Sequence, residues 1–314
     1  MIGAVDIGGT KLAVGLVDEN GTVLARNEIT TGPESHYSAG LESIVSMLRE
    51  MEQRARVKIT GVGIGSTGPI DPITGELGDL DFLPHWRRKN PVRDLSKLFG
   101  VDVALENDAD AGALAEAAWG AGRGKPRLIY ITVGTGIGGG IVFDGHLYRG
   151  VNGSHPELGH QVIDPSGPEC SCGFRGCWES LASGPATAAW AHEQAPANDS
   201  YRSAKQICQL ALEGDELARK VVDREVYYLG LGIANLINLF APDRIVLGGS
   251  VMQSSELFLD GIRKQIARGC RFVPHEKTEL ALASLGKDAN LIGAASVWHN
   301  RFGNALQPTS SSTV

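Results

Sequence analysis

The chain has 314 residues, 42% of them hydrophobic, enough to bury a sizeable core in about two domains of ordinary size. Its formal net charge of −7 and the lack of a Lys/Arg-rich run argue against nucleic acid or an anionic membrane as partner. Five cysteines, three of them clustered, suit a reduced compartment and a metal better than a disulfide framework, and no apolar tract reaches the roughly 20 residues of a bilayer span, so a cytoplasmic location is expected.

Residues 2–24 read as strand, glycine turn, strand, tight Asn20-Gly21 hairpin and strand, because the apolar runs 2–7 and 12–17 flank Gly8-Gly9-Thr10. Leu41, Ile44, Val45, Leu48 and Met51 carry the stripe of an amphipathic helix, and strands follow at about 59–65 and 101–105. Asn107 to Gly120 is an Ala-rich helix that begins just after Glu106-Asn107-Asp108, where short polar side chains serve as N-caps. A polar group there is displayed at a helix N-terminus. Shifted by 126 residues, Leu128–Val133, Gly134-Thr135-Gly136 and the strand Gly140–Phe143 ending at Asp144-Gly145 repeat the opening layout. Such an internal repeat implies two lobes sharing one architecture. Further on, 215–240 reads as a long helix, 244–250 as a buried strand ending in Leu247-Gly248-Gly249-Ser250, and 256–268 and 290–300 as helices. The alternation indicates an α/β fold, and the Pro/Ser/Thr-rich tail Gln307–Val314 is expected to be disordered.

Three motifs carry chemistry. Asp6-Ile7-Gly8-Gly9-Thr10-Lys11 combines a carboxylate, two glycines that admit backbone N–H groups close to phosphate oxygens, a hydroxyl and an ammonium. Gly134-Thr135-Gly136-Ile137-Gly138-Gly139 satisfies G-x-G-x-x-G, but a dinucleotide fold needs a helix after the third glycine, whereas Gly140 to Phe143 reads as a strand. What remains is two glycine hairpins able to close on a polyphosphate. The third motif is Glu157-Leu158-Gly159-His160 followed by Cys170-x-Cys172 and Cys177-x-Glu179, where His160, Cys170, Cys172 and Cys177 supply the N and S donors of tetrahedral zinc. Four protein ligands leave no position for water, so the Zn²⁺ is expected to be structural, and the open site of a zinc hydrolase is missing.

With these motifs in this order, the chain resembles a sugar kinase of the ROK family, within the actin-like ATPase superfold, over nearly its whole length. The resemblance implies a two-lobed, ribonuclease H-like α/β fold with a duplicated core and an active-site cleft between the lobes. It puts 1–109 and the helix 290–303 in a small lobe, 110–289 with the zinc loop in a large lobe, and 304–314 in a tail. It further implies that Asp6, Gly8, Gly9, Thr10 and Lys11 bind ATP phosphates and Mg²⁺, that Gly134, Thr135 and Gly136 contact them from the second lobe, and that Gly248, Gly249 and Ser250 lie on the adenosine side. Asp108 becomes the catalytic base, with Asn107 on a sugar hydroxyl and Glu157, His160 and Glu179 on others. Homodimers or homotetramers are expected from the family. So is a rival class, the family's sugar-sensing transcriptional repressors, which need a DNA-binding segment that the position of Asp6 so near Met1 leaves no room for.

Two departures concern the sugar. Many glucokinases of the family carry Pro-Gly where this chain has Ser66-Thr67-Gly68-Pro69, a form similar to the Ser-Thr-Gly of N-acetylmannosamine kinases, so this loop is expected to face the C2 substituent. His155-Pro156-Glu157 instead resembles the family's fructokinases. The expected reaction is transfer of the ATP γ-phosphoryl group to the 6-hydroxyl of a glucose-like or N-acetylated hexose, with fructose as the alternative.

Overall fold

The computed structural model describes residues 1–196 and 198–303, so the tail over 304–314 lies outside the described residues. By its internal contacts the chain divides into two units: Met1–Leu128 with Gly140–Pro156 and the chain from Ala283 onward, and Ile129–Gly139 with Glu157–Leu282.

In the first unit, β1 (Ile2–Ile7), β2 (Lys11–Val17) and β3 (Val23–Thr30) form an antiparallel meander around the first glycine turn. Then come α1 (Tyr37–Ala55), β4 (Gly61–Ser66), the short hairpin β5 (Ile70–Asp71) and β6 (Glu76–Leu77), α2 (Pro91–Phe99), β7 (Asp102–Asn107) and α3 (Asp108–Ala118). The sheet order is β3-β2-β1-β4-β7, with β1, β4 and β7 mutually parallel.

Period-two patterning gives this sheet two dry faces. Val5, Ile7, Leu12, Val14, Leu16, Val62 and Ile64 pack with Ile44 and Leu48 of α1, while Ile2, Ala4, Ala13 and Val17 meet Leu291, Ala294 and Ala295. On β4 the second face is glycine: a Cβ at Gly63 would run into the Ala294 carbonyl, and one at Gly61 into the Trp298 indole. The alternation Gly-Val-Gly-Ile-Gly-Ser therefore brings the final helix against the sheet backbone.

The second sheet comprises β8 (Arg127–Val133), β9 (Ile137–Phe143), β10 (His146–Leu147), β11 (Arg244–Gly248) and β12 (Glu279–Leu282), in the order β10-β9-β8-β11-β12. The second unit adds α4 (Trp178–Ala182), α5 (Gly184–Gln194), α6 (Ala204–Glu213), α7 (Glu216–Phe240) and α8 (Leu259–Gly269), and α9 (Ala289–Phe302) completes the first. Asp215 starts the long α7 as its N-cap, accepting the Ala218 N–H at 2.7 Å.

Two boundaries differ most from the sequence reading, and the strand expected over 244–250 ends at Gly248. The strand expected from Gly140 already begins at Ile137, because Gly139 and Gly140 are spacers: a Cβ at Gly139 would meet the Tyr130 carbonyl, and one at Gly140 would press on Ala113 and Asp110. The helix expected from 256 begins at Leu259, after 3-10 turns over Val251–Leu257. Among the described residues no helix is long and apolar enough to cross a membrane.

Candidate functional site

In the first unit, parallel register sets Ile7 beside Ser66 and Ser66 beside Asn107, so the carboxyl ends of β1, β4 and β7 lie in a row. The loops leaving such ends are where open α/β sheets place ligands. The turn after β1 is closed by Gly8 N–H to the Lys11 carbonyl at 2.9 Å and braced by Thr31, whose hydroxyl donates to the Gly8 carbonyl at 2.9 Å. A Cβ at Gly9 would lie 3.0 Å from the Phe82 ring, so this glycine keeps the turn close to the loop before α2. Thr10 and Lys11 are exposed, and Lys11 Nζ stands 3.5 Å from Glu28. Asp6 is buried and accepts from Asn290 Nδ2 at 3.0 Å. Burial raises its pKa, the Asn290 hydrogen bond opposes that, and the charge of Asp108 adds to it. A cation beside Asp6 would relieve both burdens, so the residue fits the Mg²⁺ expected there.

At the next two strand ends, Asn107 is the N-cap of α3, its Oδ1 accepting the Ala109 N–H at 2.9 Å. Asp108 is exposed on the first turn with a fixed carboxylate: Oδ1 accepts from Ala109 N–H at 2.8 Å and Oδ2 from the Thr67 hydroxyl at 3.0 Å. Thr67 is thus an orienter of Asp108. Ser66 is fully buried with its hydroxyl turned onto the Thr67 carbonyl, and Gly68 lies against the Asn107 amide. Asp6, the glycine turn, Ser66, Thr67, Gly68, Asn107 and Asp108 are therefore gathered at one edge of one sheet.

In the second unit, Gly134 N–H closes a three-residue turn on the Gly136 carbonyl at 2.9 Å, and the Gly134 carbonyl accepts from Gly184 N–H, the first residue of α5, at 2.8 Å. Gly249 holds a φ of 92° and sits so tightly on the Val133 backbone that a Cβ there has no room; Ser250 Oγ would lie 3.4 Å from a Cβ on Gly134. Gly134 and Thr135 join Gly184, Pro185, Ser250 and Gln253 in lining a cavity of about 1040 Å³. That is the size and mixed polarity of a small-ligand pocket. The site reaches the zinc tract through Glu179, on the first turn of α4, whose Oε2 accepts the Ile137 N–H at 2.8 Å. A Cβ on Gly136 would strike that same oxygen, and one on Gly159 would strike the Ile137 carbonyl. Glu157 is exposed, its carbonyl accepting the His160 N–H at 3.0 Å.

His160, Cys170, Cys172 and Cys177 bring one donor atom each within 4.8 Å of one another. His160 Nδ1 is 3.4 Å from Cys170 Sγ, and Cys172 Sγ is 3.5 Å from Cys177 Sγ. Zn–S bonds of about 2.3 Å in a tetrahedron put sulfurs about 3.8 Å apart, so the cluster fits zinc. Its electrostatics agree: burial and then the neighbouring thiols push Cys177 up to about 12, while the Phe174 N–H holds the Cys172 thiol below its usual range. Crowded thiols that cannot all ionise alone can do so around a dication. Nδ1 is the nitrogen on the thiol side, leaving the Nε2 edge for another partner. The loop needs Gly173 and Gly176 at φ 92° and 68°, and a Cβ on Gly176 would overlap the Asp164 carbonyl. From α7, Tyr228 donates to Asp164 at 2.9 Å and Asn235 to Gln161 at 3.1 Å. Cys208 and Cys270 are buried free thiols apart from this cluster.

Sequence reasoning missed Asn290, the Thr67 bond to Asp108 and the Glu179 bond to Ile137. All three are long-range pairings with no local signature. The model of the ROK family matches residues 2–301. A glucokinase of Thermotoga maritima is 34% identical over 312 residues, covering 95% of this chain and 97% of that protein. The xylose repressor of Bacillus subtilis is 31% identical over 303 residues, covering 95% of this chain and 77% of the repressor. Among solved structures, a ROK family glucokinase from Streptomyces griseus in complex with glucose and AMPPNP matches at a TM-score of 0.76 and 34% identity, over 94% of this chain and 97% of that one. This chain belongs to the ROK family and has the two-lobed, actin-like α/β fold of its sugar kinases.

Proposed function

We propose that this protein is an ATP-dependent sugar kinase, transferring the γ-phosphoryl group of ATP to the 6-hydroxyl of a glucose-like or N-acetylated hexose. The observation that carries the reading is Asp108: an exposed carboxylate at a helix N-terminus, oriented by Thr67 and Ala109, in the same row of strand ends as the Asp6 to Lys11 turn. Phosphoryl transfer asks mainly for positioning and charge neutralisation, so a fixed carboxylate that aligns a hydroxyl and takes its proton late is sufficient. Asn107 would hold a neighbouring hydroxyl, and the glycine turns with Thr10 and Lys11 would hold phosphates. Mg²⁺, when bound, would neutralise phosphate charge, with Asp6 as the residue to hold it.

In the second unit, Gly134 to Gly136, Gly248, Gly249 and Ser250 would meet the nucleotide, at the cavity that Gly134, Thr135 and Ser250 line. Glu157, His160 through Nε2, and Glu179 would rest against sugar hydroxyls, with structural Zn²⁺ on His160, Cys170, Cys172 and Cys177 as the brace that orients them. Glucose is favoured by the glucokinase relatives, while Ser66-Thr67-Gly68 favours a larger C2 substituent and His155-Pro156-Glu157 favours fructose.

A second reading, a sugar-sensing regulator without catalysis, is favoured by the similarity to the xylose repressor. A coupled ADP-release assay over glucose, mannose, fructose, glucosamine, N-acetylglucosamine and N-acetylmannosamine separates the two. The kinase reading expects turnover on at least one sugar, with a kcat/KM ranking that names it. Calorimetric sugar binding without turnover on any would hand the case to the regulator.

A further inference from the structure

The strand-to-helix turn that presents Asp108 is bracketed in sequence by two carboxylates, Glu106 and Asp110, and the structure turns both inward. Asp110 is fully buried on α3, and Glu106 keeps only 15% of its side chain exposed at the end of β7. One guanidinium meets both. Arg149 Nη2 lies 2.6 Å from Glu106 Oε2, and Nη1 lies 2.9 Å from Asp110 Oδ2. The first contact is an aligned hydrogen bond; the second lies off the hydrogen-bonding axis and acts by charge. His155 Nδ1 stands 3.6 Å from the same Asp110 oxygen.

Arg149 is itself seated from both sides. Leu147 pairs with Val142 in the β10–β9 hairpin, Tyr148 N–H donates to the Ile141 carbonyl at 2.7 Å, and Nη1 donates to the Tyr148 carbonyl at 3.1 Å. Gly140 on β9 removes the Cβ that would otherwise collide with Asp110. The hairpin thus delivers a half-buried cation to the turn and makes space for its acidic partner.

We propose that Arg149 is a positioning residue for the reaction assigned to Asp108: its planar fork bridges Glu106 and Asp110, locking the β7–α3 turn on both sides of Asn107-Asp108. This rests on the kinase reading for its catalytic consequence. Burying two carboxylates around a reactive third costs stability unless a cation compensates, and a guanidinium can hold two oxygens in fixed relative positions where an ammonium cannot. The groups facing the pair are Arg149, His155, Arg301 and Asp108, and even with them burial lifts Glu106 to about 7 and Asp110 to about 6. Arg149 is the counter-charge that keeps both from rising further.

The test is steady-state kinetics of Arg149→Met and Arg149→Lys, together with an Arg149→Gln, Glu106→Gln, Asp110→Asn triple variant that removes the buried charge altogether. A misplacement of about 1 Å costs on the order of 100-fold. Arg149→Met is therefore expected to lose about 10- to 100-fold in kcat with sugar KM within threefold. Arg149→Lys should recover part of the loss, and the triple variant should stay slow despite regained thermal stability. Full recovery of kcat in the triple variant, or a loss confined to KM, would overturn the proposal. Amide hydrogen exchange of residues 106–112 gives a readout independent of activity: protection should fall in Arg149→Met, and unchanged protection in a folded variant also overturns it. If the wild type turns over no sugar, the kinase reading fails while the exchange result still decides the clamp. If Arg149→Met does not fold, the same kinetics and exchange on Arg149→Lys decide it.

Discussion

The two glycine turns start from the same pattern, strand, glycine turn, strand, yet the fold supports them differently. The turn at Gly8-Gly9-Thr10 is held by near neighbours, its own Lys11 carbonyl and Thr31 across the meander, with exposed Thr10 and Lys11 on its rim. The turn at Gly134-Thr135-Gly136 also closes on itself, through the Gly136 carbonyl, but is further held by partners distant in sequence: Gly184 at the start of α5, the Gly248–Ser250 loop, and Glu179 on the adjoining Ile137. A duplicated element therefore need not have a duplicated role. The first turn is a local cradle that can be altered piecemeal; the second joins a cavity to the loop that carries the cluster of His160, Cys170, Cys172 and Cys177, so damage there should spread.

Substitutions can break this contrast. The largest effect is expected from Glu179→Ala, which strips the Ile137 N–H of its acceptor and the zinc loop of its link to the turn. Loss of kcat/KM of about 100-fold or more, with raised KM for both sugar and ATP, would show the coupling, and a change in sugar KM alone would break it. Next, Cys172→Ser is expected to abolish stoichiometric zinc and lower Tm by several degrees. Zinc in a structural site contributes about 10–16 kcal/mol at neutral pH, though Tyr228 and Asn235 should keep the ends of the loop anchored to α7. Metal analysis with differential scanning fluorimetry checks it; a zinc-free variant with unchanged Tm would separate the loop from the metal.

A smaller, local effect is expected from Gly9→Ala. Its Cβ presses on the Phe82 ring, a side chain able to shift, so KM for ATP should rise several-fold while sugar affinity and Tm stay near the wild type. The smallest concerns pH. On α7, Glu225 is fully buried, and burial lifts its pKa to about 8 against the opposing Thr187 hydroxyl and Arg224. A raised folded-state pKa means stability that is fully present below about 4.5 and drains away as pH climbs through about 8, in the same direction as Glu106 and Asp110. Glu225→Gln should flatten the fall in Tm between pH 6 and pH 9 by a few degrees. A steeper fall in that variant would contradict the assignment.

Much of this was legible in the chain because it is local. The meander follows from alternating apolar runs and Asn20-Gly21, α1 from its stripe, the N-cap role of Asn107 from short polar residues before an Ala-rich run, and the gathering of His160, Cys170, Cys172 and Cys177 from Cys spacing. What escaped is what tertiary packing decides. α5 runs Gly-Pro-Ala-Thr-Ala-Ala-Trp with small residues on every side, so periodicity does not mark it. Gly139 and Gly140 look like turn residues, but inside β9 they are spacers for Tyr130 and for Ala113 and Asp110, which no local rule can foresee. Asn290 reaches Asp6 across 284 positions of sequence, and Arg149 reaches Glu106 across 43. The carboxylates were readable as residue types; their partners were set by the fold.

In the proposed reaction Asp108 takes the proton of the sugar hydroxyl while other groups bind the sugar. Steady-state turnover of Asp108→Asn on the preferred hexose, paired with calorimetric sugar binding, tests it most directly. A drop in kcat of about 1000-fold with sugar Kd within threefold is the expected result. Turnover within tenfold of the wild type would contradict it.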